Sequence, residues 1–192
     1  MKLIGLSGTN GSGKDTIAEL IVEKFNYMFV SVTDLLRDEA SKRNLPIERS
    51  VLRDISAEWR RESGLGVLVD KAVEKFELSD ASFDGLVVVS LRNPGEVDKV
   101  HKLGGKVIWI DADPKIRYQR IYSRRRSDED NKSFEQFLAE EKIEMSHSGD
   151  EATLNMSGVK DKADIFIDND HSDIETFKKD AEQTLVETKN LL

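Results

Sequence analysis

Five short apolar runs, separated by stretches of helical periodicity, constrain the fold of this chain more than any other feature. They are "KLIGLS" (2–7), "YMFVSVT" (27–33), "GLVVVSL" (85–91), "KVIWIDA" (106–112) and "ADIFID" (163–168). Near-continuous apolar runs of this length suit strands buried on both faces. Their alternation with helices predicts an α/β fold, a parallel sheet with crossover helices on both faces. Helices are expected over 14–25, where Ile17, Leu20, Ile21 and Phe25 form one stripe, and over 34–43, after a cap at Thr33 or Asp34. Further helices are expected over 50–62, stopped by Gly64, and over 66–77, 94–103, 114–126, 133–145 and 172–191. Pro94 and Pro114 open two of them at a favoured first-turn position. The polar stretch 146–161 reads as a loop. A chain of 192 residues is enough for one domain with a full core.

Several functions are disfavoured by what the chain lacks. It has no cysteine, so disulfides, Cys-zinc sites and thiol nucleophiles are excluded. His101, His147 and His171 show no metal-ligand spacing. No apolar run approaches the ~18 residues of a membrane span, and "MKLIGLS" has no signal-peptide pattern. The expectation is a cytoplasmic protein with no membrane partner, a monomer or homodimer. A net charge of −8 counts against a nucleic-acid partner, which needs a basic face. Against that acidic background, "RYQRIYSRRR" (117–126) carries five arginines and no acid, an island suited to an anionic ligand.

The chemistry starts at "GTNGSGK" (8–14), which follows the first expected strand and opens the first expected helix. Glycines at 8, 11 and 13 let the loop turn so that main-chain N–H groups point inward. The helix beginning near Lys14 adds its positive end, and Lys14 adds a full charge. At ~4 Å and an effective dielectric near 20, one Lys–phosphate pair gives roughly 4 kcal/mol of gross attraction. Gly8, Asn10, Gly11, Ser12, Gly13 and Lys14 are therefore candidate phosphate ligands. In an open α/β sheet, ligands bind beyond the carboxyl ends of the strands. That places Asp34, after the second run, and Arg92, after the third, in the same crevice. Arg37, one turn beyond Asp34 on the same helix face, is positioned to help hold an anionic substrate. The third run ends in Ser90, Leu91 and Arg92, with no acid. No DxxG or NKxD pattern of a GTPase is present.

The loop is the Walker A motif of P-loop proteins. Its local form, "GTNGSGKDT", resembles the nucleoside-monophosphate-kinase branch and, within it, dephospho-CoA kinases. That resemblance implies a three-layer P-loop fold with strand order 2-3-1-4-5, a substrate-binding helical region over about 34–80, and a lid and insertion over about 114–162. It implies ATP and Mg²⁺ as cofactors and an ATP-dependent phosphotransferase activity. Thr16 would contact a phosphate, while Asp15, where the motif usually has Ser or Thr, would hold Mg²⁺ through water. "SVTDLLR" and "SLRNPGEV" resemble the elements in which Asp34 accepts the proton of an attacking hydroxyl and Arg92 grips the acceptor's phosphate. The spacing of Arg117, Arg120 and Arg124 resembles a lid, with Arg120 on adenine and Arg124, Arg125 or Arg126 reaching the transferring phosphate. "KADIFIDND" resembles the last strand and turn, with Asn169 against adenine. Segment 127–162 departs from the pattern. It is acidic and long, and we expect it to lack the glutamine-bearing helix of a true dephospho-CoA kinase.

The acceptor expected first is dephospho-CoA-like, with a nucleoside or deoxynucleoside monophosphate as the alternative. Two rivals are a non-catalytic ATP-binding regulatory module and a nucleic-acid 5′-kinase, the latter opposed by the acidic surface.

Overall fold

A computed structural model describes residues 1–124, 132–146, 149–171 and 173–187. The elements run β1 (Lys2–Gly8), α1 (Lys14–Phe25), β2 (Tyr27–Ser31), α2 (Val32–Lys42), α3 (Arg49–Ser63), α4 (Val67–Glu77), β3 (Gly85–Val89), α5 (Pro94–Lys102), β4 (Lys106–Asp111), α6 (Pro114–Arg124), α7 (Phe134–Met145), α8 (Met156–Lys162), β5 (Ile165–Asp168) and α9 (Ile174–Glu187). Every strand pairing is parallel, and the order is β2-β3-β1-β4-β5, as expected.

Alternation along each strand feeds two cores. Leu3, Val30, Leu86, Val88, Val107 and Trp109 face α2, α3, α4, α5 and α8, meeting side chains such as Leu36, Ile55, Leu68, Val97 and Val159. Ile4, Leu6, Val87, Val89, Ile108 and Ile110 face the other way, onto Ile17 and Ile21 of α1 and Phe177 and Leu185 of α9. Each fully buried aliphatic side chain of this kind stabilises the fold by about 1.5–3 kcal/mol. The three-layer sandwich thereby brings all five carboxyl ends of the strands to one edge.

Four local expectations are corrected. α2 starts at Val32, capped by the Ser31 hydroxyl, which accepts from the Asp34 amide at 3.3 Å, so neither Thr33 nor Asp34 is the cap. β2 runs out of pairing at Ser31, opposite Val89, and the β-branched Val32 and Thr33 belong to the helix despite reading as strand. The segment 146–161 is not all loop. Asn155 caps α8 through the Gly158 amide (2.8 Å), and Met156 and Val159 are buried. Seven residues with two buried side chains are too short to show a period. Finally, α7 does carry a glutamine. Gln136 closes a capping box with Ser133, accepting from the Ser133 amide at 2.9 Å. Among the described residues no helix is long and apolar enough to cross a membrane.

Candidate active site

The loop after β1 is shaped by backbone geometry that side chains would obstruct. Gly8 has φ 139°, and a Cβ there would lie 1.9 Å from the Ile110 carbonyl oxygen of β4. Gly13, at the N-cap of α1, has φ 104°, and its Cβ would lie 2.5 Å from Asn169 Nδ2. Only glycine satisfies both demands. Lys14 Nζ curls back to donate to the carbonyls of Thr9 (2.6 Å) and Gly8 (3.1 Å). Its pKa is lowered to about 7, chiefly by burial and then by the nearby Arg92 guanidinium, against Asp15 and Glu144, which favour the cation. The Ser12 hydroxyl is fully buried with no hydrogen-bond partner. A glycine-turned loop leading into a helix N-terminus, a desolvated ammonium and an unsatisfied hydroxyl together suit an anion. Asp15 is exposed and Thr16 partly exposed, both in the first turn of α1, where an acid also suits the helix dipole.

One acid of the crevice was missed in the sequence. Asp111, at the end of β4, flanks β1 on the side opposite β3. Its carboxylate accepts from the Thr9 hydroxyl at 2.6 Å and from the Ala112 amide at 2.9 Å. Lys160 Nζ lies 3.4 Å away and Arg117 Nε 3.7 Å. Burial alone would raise this carboxyl, but those hydrogen bonds and Arg117 hold it below its ordinary value. Asp111 therefore ties β4 to the phosphate loop. The signal was present in "WIDA"; an end-of-strand acid was sought after the third run, whereas the fourth also lies beside the first.

The arginines of α6 divide their work. Arg117 is buried, donates to the Ala112 carbonyl at 2.7 Å and pairs with Glu141 through both Nη atoms. It braces the loop and α7. Arg120 Nη2 donates to the carbonyls of Asn169 (3.0 Å) and His171 (3.0 Å) and to Asn169 Oδ1 (3.2 Å). Asn169 in turn donates to the Ser12 carbonyl at 2.8 Å. Arg120 and Asn169 are thus brought together beside the loop. Arg124 ends α6 and lines the neighbouring cleft. Arg125 and Arg126 lie outside the described residues.

That cleft, about 690 Å³ in volume, runs between α2, α3 and the end of β3. Asn10 of the phosphate loop forms part of its wall, as do Thr33, Ser90 and Arg92. Among the described residues, six arginines line it, 37, 49, 53, 60, 92 and 124, against two glutamates, Glu48 and Glu144. Arg92 is held from below. The buried Arg60–Glu96 pair (2.7 Å) orients Glu96 so that its other oxygen accepts from the amides of Arg92 (2.7 Å) and Asn93 (3.1 Å). Glu96 also completes the capping box of α5 with Asn93. The Asn155 amide donates to the Arg92 carbonyl at 3.0 Å. Ser90, just before, sits at φ 73°, a conformation uncommon for a side-chain-bearing residue. The Arg92 guanidinium donates to Glu144 at 3.1 Å and Arg53 donates to the other Glu144 oxygen at 2.6 Å. Burial would raise the Glu144 carboxyl, but Arg92 foremost, then Arg53, hold it below the usual range. Asp34 is exposed and ion-paired with Arg37 at 2.8 Å. It stands beside the cleft wall, whereas Thr33 and Arg37 form part of it. Among the described residues no group of three acidic or histidine side chains gathers to hold a metal.

Residues 7–137 match the model of a family described as an AAA domain. A UPF0200 protein of Pyrococcus abyssi is 34% identical over 184 residues, covering 94% of this chain and 93% of that one. Another, from Sulfurisphaera tokodaii, is 31% identical over 187 residues, covering 96% of each. This chain belongs to the UPF0200 family, and carries its AAA domain. Among solved structures, shikimate kinase from Bacteroides thetaiotaomicron superposes with a TM-score of 0.60 at 14% identity, over 96% of this chain and 98% of that one. TT1252 from Thermus thermophilus gives 0.57 at 20% identity, over 98% of each. At such identities the likeness is one of fold. With the sheet order and the phosphate loop, it gives this UPF0200 chain a P-loop kinase-like fold.

Proposed function

We propose that this chain is an ATP-dependent small-molecule kinase that transfers the γ-phosphoryl group to a phosphate-bearing, nucleotide-like acceptor. One observation carries the reading. The phosphate loop and an arginine-lined cleft share a wall, with Asn10 and Arg92 bordering the same cavity. A donor phosphate on the loop and an acceptor in the cleft would meet at that wall.

The roles follow from placement. Amides of Gly8 to Gly13 and the Lys14 ammonium take the β- and γ-phosphates. Arg120 and Asn169 sit where the base of ATP would lie. Thr16 would contact a phosphate, and Asp15 is the residue that would hold Mg²⁺, through water, an oxygen donor suited to a hard cation that keeps its waters. The ion would supply charge neutralisation between the phosphates. Arg92 and Arg37 take the acceptor's anion, and Arg124 stabilises charge on the migrating group. The bond from the γ-phosphorus to the bridging oxygen breaks, ADP leaves, and an acceptor oxygen forms the new bond.

What the acceptor oxygen is decides Asp34. A hydroxyl acceptor, as in dephospho-CoA, must lose a proton, and Asp34, beside the cleft wall, is the residue we assign to take it. A phosphate acceptor, as in a nucleoside monophosphate, has none to lose. The exposure of Asp34 and its pairing with Arg37 favour the second reading as a serious alternative.

The test is a panel of dephospho-CoA and the ribo- and deoxyribonucleoside monophosphates, incubated with ATP and Mg²⁺ and read by mass. We expect one compound to gain 80 Da, as about one phosphoryl group, with ADP formed in step. ATP binding with no acceptor phosphorylated would leave the regulatory-module reading standing. Asp34→Asn then sorts the acceptors. It lowers turnover ~10²–10⁴-fold if a hydroxyl is phosphorylated and only a few-fold if a phosphate is.

A further inference from the structure

One anion in the cleft comes from an element that does not build it. α7 lies between the phosphate loop and α3, and Phe137 is its one buried residue. Three of its carboxylates, Glu140, Glu141 and Glu144, pair with arginines of other elements. Glu140 and Glu144 are one turn apart, and so are Arg49 and Arg53 on α3. Glu140 faces Arg49 at 3.6 Å, while Glu144 bridges Arg53 (2.6 Å) and Arg92 (3.1 Å). Glu144 therefore has both oxygens engaged by guanidiniums from two elements, α3 and the turn after β3. Its side chain is 16% exposed.

This arrangement has the chemistry of a bound oxyanion. Planar guanidiniums recognise carboxylate and phosphate by the same forked geometry. A phosphomonoester brings up to two charges and three terminal oxygens to a place where one carboxylate now brings one charge and two. Arg53 and Arg92 are 43% and 33% exposed, so an anion arriving through the cleft reaches the guanidiniums from the side that Glu144 leaves open.

We propose that Arg49, Arg53 and Arg92 form the subsite for the acceptor's own phosphomonoester, and that Glu144 fills this subsite until the acceptor displaces it. The inference rests on the kinase reading above and narrows it. The acceptor is a phosphomonoester rather than a carboxylic acid or a neutral sugar, and Glu144 sets its affinity by competing for the same arginines. Arg53 and Arg49 thus join Arg92 as specificity-determining residues.

The test needs no turnover. Inorganic phosphate is titrated into the full chain without ATP, and NMR follows two sets of signals, the arginine Nε–Hε groups of 49, 53 and 92 and the loop amides of Gly11 and Gly13. The two sets report phosphate at the acceptor and donor sides separately. Glu144→Gln, nearly isosteric, should tighten binding at the arginines about tenfold, ~1.4 kcal/mol, and leave the loop response unchanged. Glu144→Asp, which keeps the charge but shortens its reach, should give a smaller gain in the same direction. Arg53→Gln should weaken binding at the arginines and spare the loop. Unchanged or weaker phosphate binding at the arginines in Glu144→Gln overturns the proposal, and so does a response confined to the loop. If Glu144→Gln does not fold, the Asp and Arg53 variants decide. The kinase reading fails separately. Phosphate bound at the arginines with no acceptor phosphorylated in the panel would remove the enzyme and keep the subsite. Phosphorylation of a neutral compound would do the reverse.

Discussion

On the donor side, charge is offered by the main-chain amides of consecutive residues and one ammonium, all within Gly8–Lys14. On the acceptor side it is offered by guanidiniums drawn from α3 and from the turn after β3, and one carboxylate of α7 already answers them. The first site is made by local conformation and the second by packing. Backbone amides cannot be repositioned by a side-chain rotation, so the loop is preorganised for a triphosphate. Arginine side chains carry up to about 2 kcal/mol of rotamer entropy, and here their arrangement depends on partners far away in the chain. The donor should therefore be fixed in kind, and the acceptor's affinity adjustable by what α7 does.

The largest expected effect breaks the donor half. Lys14→Ala should lower turnover by about 10²–10³-fold, the range for losing one preorganised charge-stabilising group. ATP affinity should fall with it, while phosphate binding at Arg53 and Arg92 persists. Isothermal titration with ATP and the NMR signals above check the two halves of that statement. If Lys14→Ala bound ATP as tightly as the parent chain, the donor site would lie elsewhere.

A second, smaller effect reaches the acceptor half from beneath. Glu96→Gln leaves the buried Arg60 guanidinium without its counter-charge and loosens the carboxylate that holds the Arg92 and Asn93 amides. Breaking a buried pair in this way costs about 3–5 kcal/mol, a fall in melting temperature of roughly 10 °C for a chain of this size. Below the transition, ATP affinity should be unchanged and the acceptor KM raised. Equal damage to both substrates would mean that the two halves are not separately supported.

The same division explains what could be read from the sequence. The loop, its helix and Lys14 are contiguous, so the residues that do the chemistry also carry the pattern. Arg92 was legible because a strand's end points into the crevice whatever packs around it. The parallel sheet and its helical layers followed from the alternation of apolar runs, and the strand order from the resemblance that the phosphate loop carries. Arg53 and Glu144 were not legible. Each lies on a helix rich in charged residues, and whether one of them meets solvent or the cleft depends on how that helix docks. Glu141 and Arg117 show the same limit: Arg117 was read as one member of a lid, but it is buried as a brace. Asp111 was legible and overlooked, because the strand searched was the other neighbour of β1.

The smallest effect is a linkage, and its sign sharpens the contrast between the halves. Lys14 in the free protein is lowered from 10.5 to about 7, chiefly by burial and then by Arg92. Phosphates bound at the loop favour the ammonium, so ATP binding should draw up to one proton between pH about 7 and the higher value reached in the complex. ATP affinity should then fall with rising pH across that window, by at most about tenfold per pH unit. Folding stability should move the opposite way. The unfolded chain holds this proton up to about 10.5 and the free folded chain only to about 7, so this group's contribution to stability rises with pH between those values. Titration calorimetry in buffers of different ionisation enthalpy measures the proton taken up, and Lys14→Met, which has none to take, supplies the reference. Phosphate binding at the arginines should draw less proton at Lys14 than ATP does, because it acts on Lys14 only through space, past Arg92, whose guanidinium stays charged throughout the window. A proton drawn equally by wild type and Lys14→Met would mean that the linkage belongs to another group.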